Sequence, residues 1–293
     1  FHGAGGIYAF SGEAVEVLSA ARKMGLWTAV DQVIAPRTIV DQLGYEEELL
    51  NPGWQLPVES DGYSEAFAER ERAEWQLADV VVCPSPFVAR HVIEEGCAPE
   101  KIVMVPTGVD TRFQFERKPR APGKLRVLTV GAVGLRKGSP YVGGVSRLLA
   151  GEVEFRMVGP LELLPEAQAK LAVSVELTGP IPRSEMRKQF EWADVFLLPS
   201  LCEGSAISVY EALAAGLPVI CTENTGSVVR HGIDGYIVPI RDVRETVEIL
   251  RELAGNPTML ERMGENARER AADYTLSRYG ERLASAIFQE KTP

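Results

Sequence analysis

The stretch Asp194-Val-Phe-Leu-Leu198-Pro199-Ser-Leu-Cys-Glu203-Gly204-Ser205-Ala206-Ile207-Ser-Val-Tyr-Glu211-Ala-Leu-Ala-Ala-Gly216-Leu-Pro218-Val219-Ile-Cys-Thr222 reads as a buried strand, a loop, an apolar helix and a second buried strand. Residues 195–198 are apolar without interruption, as in a strand of a parallel sheet covered on both faces. Helix 205–215 and strand 218–222 complete the unit, and a helical crossover is what joins parallel neighbours.

The alternation continues outward in both directions and predicts an α/β chain of doubly wound, parallel-sheet units. Before the quoted unit lie strand 125–130, helix 139–150, strands 153–158 and 173–178, and helix 184–191. After it, helical signals run from Val243 to the end, broken at Asn256-Pro257. Residues 106–123 carry prolines and glycines without periodicity and read as a linker. In the first half, Ser11 to Met24 reads as a helix closed by Gly25, Leu26 to Val30 as a strand, 46–64 as loop, Glu65 to Ala78 as a charged helix and 79–83 as a strand. Ser85-Pro86 and Ser139-Pro140 both look like helix starts, with serine as cap and proline where no N–H is needed. Gly96 and Gly151 end those two helices. About three strand candidates precede the linker, fewer than a doubly wound sheet normally holds, so further strands are expected upstream of Phe1, where the chain lacks an initiator Met.

Composition narrows the function. The chain has 293 residues, 45% apolar and 25% charged, and its 31 basic and 41 acidic residues give a formal net charge of −10. An acidic surface of this kind excludes a general nucleic-acid or anionic-membrane binder, which needs cations to displace counterions. It leaves room for one local basic pocket. Cys83, Cys97, Cys202 and Cys221 have no metal-ligand spacing and read as small core residues in a reducing, cytoplasmic setting. No apolar run approaches the ~18 residues of a spanning helix. Contact with the inner face of a membrane is expected at most to be peripheral.

The chemistry concentrates at two strand ends. Glu203, Gly204 and Ser205 follow a buried strand, where open α/β sheets place ligands. Ser205 is expected to cap the helix, leaving amides near Ala206 and Ile207 to face an anion. Glu203 suits sugar hydroxyls beside a phosphate, and Glu211, on an otherwise apolar helix face, needs a donor or water. Gly131-Ala-Val-Gly134-Leu-Arg136-Lys137-Gly138 follows another strand, with glycines for close approach and Lys137 as a point charge for phosphate. It is neither a Walker loop nor a dinucleotide fingerprint. No Asp-x-Asp occurs, so no metal is expected to hold a diphosphate, and the leaving group's charge falls to Lys137 and helix N-termini.

Residues 199–219 resemble the donor-site signature of glycosyltransferase family 4: Glu203, seven residues, Glu211, then Ala and Gly216-x-Pro218-Val219. The segments 78–88, 101–110, 131–138, 158–160, 179–182, 193–200 and 232–239 resemble the same family in the same order. The resemblance implies a GT-B fold, two Rossmann-like domains with the active site between them. It implies a partial N-terminal acceptor-side domain over 1–118, a nucleotide-sugar-binding domain over 119–270, and a segment 271–293 whose helix, roughly 275–289, crosses back to the first domain. The implied reaction is sugar transfer, with retention and without a metal or other cofactor, from a UDP- or GDP-linked donor to a glycan, lipid-linked or small-molecule acceptor. Carried over by position, Glu203 binds donor-sugar hydroxyls, Glu211 the ribose and Lys137 the diphosphate. Gly204, Ser205, Ala206 and Ile207 line the sugar and phosphates, Ile181 lies against the base, and His2 resembles the active-site histidine near the acceptor.

Two departures qualify the carry-over. Many members place an arginine where this chain has Ala132, and Arg136 is expected to compensate. The family's first glycine-rich loop is expected before residue 1. A chain that binds nucleotide sugar without turnover is the alternative; an epimerase or phosphorylase of similar fold ranks below both.

Overall fold

The computed structural model describes residues 4–57, 62–116 and 123–288. The strands are short, the central ones buried and rich in β-branched residues, and every described pairing between them is parallel. β1 (Gly6–Phe10), β2 (Trp27–Asp31), β3 (Val80–Cys83) and β4 (Ile102–Met104) form one sheet in the order β1-β2-β3-β4. It is wound with α1 (Val15–Lys23), α2 (Arg37–Leu50), α3 (Tyr63–Leu77) and α4 (Pro86–Glu94).

The second sheet contains β5 (Leu125–Val130), β6 (Val153–Val158), β7 (Glu176–Leu177), β8 (Val195–Leu198), β9 (Val219–Thr222) and β10 (Gly235–Val238). Its order is β10-β9-β8-β5-β6-β7. The chain winds one way from β5 to β7 and the other from β8 to β10, so the strand order reverses between β5 and β8. The crevice at such a reversal is where this class of sheet binds ligands. Its helices are α5 (Ser139–Leu148), α6 (Pro165–Ala172), α7 (Met186–Trp192), α8 (Ile207–Ala214), α9 (Val243–Gly255) and α10 (Pro257–Ala272). Apolar clusters cover both faces of each sheet, as Rossmann-like domains require.

α11 (Leu276–Phe288) packs Tyr279, Leu283 and Ala286 against Ala29, Val80 and Val82 of the first sheet. Other contacts also cross between the sheets. Trp54, just after α2, is buried in the core of the second sheet, and its carbonyl accepts from the Leu164 amide at 2.7 Å. Glu47 of α2 is fully buried, accepts from Tyr141 Oη at 2.6 Å and pairs with Arg241 Nε at 2.5 Å. Arg241 is the one non-glycine residue with positive φ (69°) among the described residues.

Several local expectations change. Residues 46–50 are helical, because α2 runs through them; Glu46 and Glu47, which read as loop acidity, are instead held by Arg241. The first sheet holds four strands against about three candidates: β4 opens the 101–110 segment, and β1 lies in a stretch where no strand is read from the sequence. The strand expected over 173–178 is reduced to β7, and Pro165 opens an unforeseen helix. Ser85 caps α4 as expected, accepting from the Val88 amide at 3.3 Å. At α5 the N-cap is Gly138 in the left-handed region (φ 74°), and Ser139 is the first helical residue. A Cβ at 138 would run into the Pro199 carbonyl, so the cap position is taken by the one residue that fits.

The buried Glu47 pair generates a stability prediction. Glu47→Ala leaves Arg241 and the Tyr141 hydroxyl without their shared acceptor and should cost on the order of 3 kcal/mol. Urea denaturation of the two proteins measures it, and a loss within error of zero contradicts the role.

Candidate functional site

The loops that follow β5 and β8 meet at the strand-order reversal. The Leu201 amide donates to the Arg136 carbonyl at 2.9 Å, and the Gly138 cap turn leans on Pro199. Glycine is required a second time at 204, where a Cβ would strike the Val33 carbonyl just beyond β2. Residues from both domains therefore wall one cleft.

Lys137 and Glu203 face each other across it. Lys137 Nζ lies 2.6 Å from Glu203 Oε1, and Arg136 Nη1 lies 2.7 Å from the same oxygen. Arg136 also donates to the Cys202 carbonyl at 3.0 Å. The Glu203 and Lys137 side chains are only 11% and 12% exposed. Such a pair has lost most of its water, and its members are held in place by each other. Neither Glu203 nor Glu211 is an ordinary solvated surface carboxylate.

The α8 terminus differs in detail from the sequence reading. Its N-cap is Ala206, without a side-chain cap, and Ser205 Oγ instead bonds Tyr210 Oη at 2.7 Å. The Ala206 amide is taken by the Thr225 carbonyl at 3.2 Å, so it is not free for a ligand. The amides of Gly204, Ser205, Ile207 and Ser208 donate to no group among the described residues. Free amides at a helix start, with the partial positive charge of the helix, suit an anion. Ser139 Oγ and Ser200 Oγ, flanking the cleft, are buried without a hydrogen-bond partner.

Glu211 lies deeper on α8 and is 2% exposed. Burial raises its carboxyl above the ordinary carboxylate range, and the Arg183 guanidinium, in direct contact with it, opposes that rise. Arg183 follows Pro182 on the loop that also carries Ile181, which packs on the core beneath α8, and its guanidinium lies 4.8 Å from the centre of the Phe113 ring. Arg183 was not singled out in the sequence; its only signal is a cation beside Pro180-Ile181-Pro182. Asn224 and Thr225 were also missed, and their carbonyls hold the amides of Glu203 and Ala206. Burial pushes the Cys202 thiol up to about 12, so beside Glu203 it stays a neutral thiol. The other three cysteines are likewise free and buried. His2 lies outside the described residues. Among the described residues no cluster of three or more His, Cys, Asp or Glu could hold a metal, and no helix is long and apolar enough to cross a membrane.

The sequence profile described as "Glycosyl transferases group 1" matches residues 110–270, more than half of the chain. The chain belongs to this family. A second profile, "Glycosyltransferase Family 4", matches residues 53–113. Among curated relatives, the putative colanic acid biosynthesis glycosyltransferase WcaL of Salmonella typhimurium is 33% identical over 234 residues, covering 73% of this chain and 57% of that protein. The MMP alpha-(1->4)-mannosyltransferase of Mycolicibacterium hassiacum is 28% identical over 233 residues, 75% of this chain and 56% of the other. The chain spans about half the length of the curated relatives it matches. Among solved structures, Anabaena Alr3699/HepE, crystallised with UDP, superposes with a TM-score of 0.73 at 15% identity, over 96% of this chain and 78% of that one. The fold is thus the two-domain GT-B arrangement of this family.

The Glu211–Arg183 contact can be tested without reference to any ligand. A carboxyl whose folded pKa is raised costs stability as pH climbs through that pKa, and the cost vanishes below the unfolded value. Arg183→Met removes the opposing cation, so Glu211 should titrate at still higher pH and stability should fall more steeply across the range above the ordinary carboxylate value. Side-chain carbon NMR of Glu211 reports the titration; an unmoved midpoint contradicts the contact.

Proposed function

We propose that this chain is the donor-binding core of a retaining glycosyltransferase that uses a nucleoside diphosphate sugar, UDP-linked in the first instance, without a required metal. The observation that carries this reading is the convergence of Lys137, Arg136, Glu203 and the free amides of α8 at one strand-order reversal. The UDP bound to a neighbour of the same fold supports the choice of nucleotide.

In this reading the pyrophosphate lies between Lys137 and the amides of Ile207 and Ser208. Its charge competes with Glu203 for the two cations. Glu203 is then released to accept hydroxyl hydrogen bonds from the donor sugar, and Arg136 supplies the second cation that Ala132 cannot. Glu211, paired with Arg183, accepts from the ribose hydroxyls, while Ile181 lies beside the base. The acceptor hydroxyl attacks the anomeric carbon from the face the diphosphate leaves. The bond from that carbon to the phosphate oxygen breaks, a bond to the acceptor oxygen forms, and the hydroxyl proton passes to the departing diphosphate. Charge on that group grows toward the transition state, so a fixed ammonium and fixed amides stabilise it more than the bound donor.

Lys137→Ala should therefore lose mainly kcat, by about 100-fold or more, with a smaller change in KM for the donor. Steady-state transfer, or donor hydrolysis where no acceptor is in hand, checks it. An unchanged kcat refutes the assignment. UDP that binds the parent chain with no transfer or hydrolysis in any acceptor screen would favour a binding chain without turnover.

A further inference from the structure

A cavity of about 440 Å³ opens between α2 and the two loops that build the site, with Arg136 as a wall common to both. We propose that this cavity seats the acceptor and selects an uncharged amphiphile, a hydroxyl-bearing glycoside whose aglycone is aryl or alkyl; the inference rests on the donor reading above.

The volume suits a small molecule with most of its surface buried. The floor is apolar, made by Leu135, Leu201 and Cys202, and α2 adds Val40 and Leu43. A sugar alone, whose hydroxyls need partners on every side, is poorly served there, because desolvated hydroxyls without partners are costly. An aryl or alkyl group loses only its contact with water. Tyr45 also lines the cavity and is 64% exposed, available to stack on an aglycone.

The charges around the cavity argue against an anionic acceptor. Two guanidiniums line it, and each is engaged by a carboxylate: Arg37 Nε lies 2.8 Å from Asp41 and Arg136 Nη1 lies 2.7 Å from Glu203. Asp41, Glu47 and Glu48 also line it, and Glu47 is itself held by Arg241 from outside the lining. A phosphate or carboxylate entering here would meet no spare cation. Among the neutral donors of the lining, Gln55 is oriented by its Oε1, which accepts from the Leu135 amide at 2.7 Å, and its Nε2 has no partner among the described residues. That amide group suits an acceptor hydroxyl near Arg136.

Gly44 provides a clean probe of the cavity. It lines the cavity on α2, and a Cβ there meets no heavy atom within 4 Å. Gly44→Trp therefore adds bulk at the cavity wall from a Cβ that meets nothing, and puts a better helix former on α2. Calorimetric titrations of the parent and Gly44→Trp, with and without UDP, would use para-nitrophenyl and octyl glycosides, the matching free sugars and the matching sugar phosphates. The expected result is that aryl and alkyl glycosides bind the parent at least tenfold more tightly than free sugars and sugar phosphates. Gly44→Trp should cut that affinity at least tenfold and leave UDP affinity within twofold of the parent. Free sugars or sugar phosphates binding as tightly as the aryl series, or a Gly44→Trp variant that binds the aryl series normally, would overturn the proposal. Failure of UDP to bind the parent would instead overturn the donor reading, and the titrations without UDP still decide the acceptor class.

Discussion

One carboxylate shared by two cations organises this molecule's candidate site. Glu203 is bonded by both Lys137 and Arg136, on loops that belong to opposite halves of the second sheet. Burying Glu203 and Lys137 together, with Arg136 half-exposed beside them, is expensive, and an apolar filling of the same volume would serve stability as well or better. The arrangement makes physical sense if the charges are held for a ligand. The ion pair orders both side chains before any ligand arrives, so less rotamer freedom is lost on binding. A diphosphate can compete for the cations because it carries two negative charges and several acceptor oxygens against the single charge of Glu203.

The rest of the fold keeps those two loops at the required separation. Gly138 lets the α5 cap turn touch Pro199, and Gly204 lets the β8 loop touch the backbone at Val33. The second contact reaches into the other domain. Trp54, the Glu47–Arg241 pair and α11 bind the domains together at separate places. Their number limits how the cleft could open, because hinge motion must break a buried charge pair or withdraw a tryptophan from a core.

Much of this was legible in the sequence wherever the signal was local. β8, α8 and β9 announce themselves by apolar runs and a glycine, and Lys137 and Glu203 are identifiable because each follows a strand end. The unread parts depend on partners distant in the chain. Glu47 reads as loop acidity until Arg241, 194 residues away, is seen to hold it. α3 reads as a charged helix, and nothing local shows that Glu74 is fully buried and accepts from the amides of Gly12 and Ala14 at 2.7 Å. Ser139 and Ser205 carry good capping signals, but Gly138 and Ala206 occupy the cap positions because the loop geometry leaves room for nothing else at 138 and because Thr225 claims the Ala206 amide. Arg183 could not be tied to Glu211 without knowing that two loops converge.

A crystal structure of the chain with UDP bears most directly on the central claim. The account requires the β-phosphate within hydrogen-bond distance of Lys137 Nζ and the amides of Ile207 and Ser208, the ribose hydroxyls on the Glu211 carboxylate, and Glu203 parted from Lys137. UDP bound elsewhere, with the Lys137–Glu203 pair still closed, would contradict it.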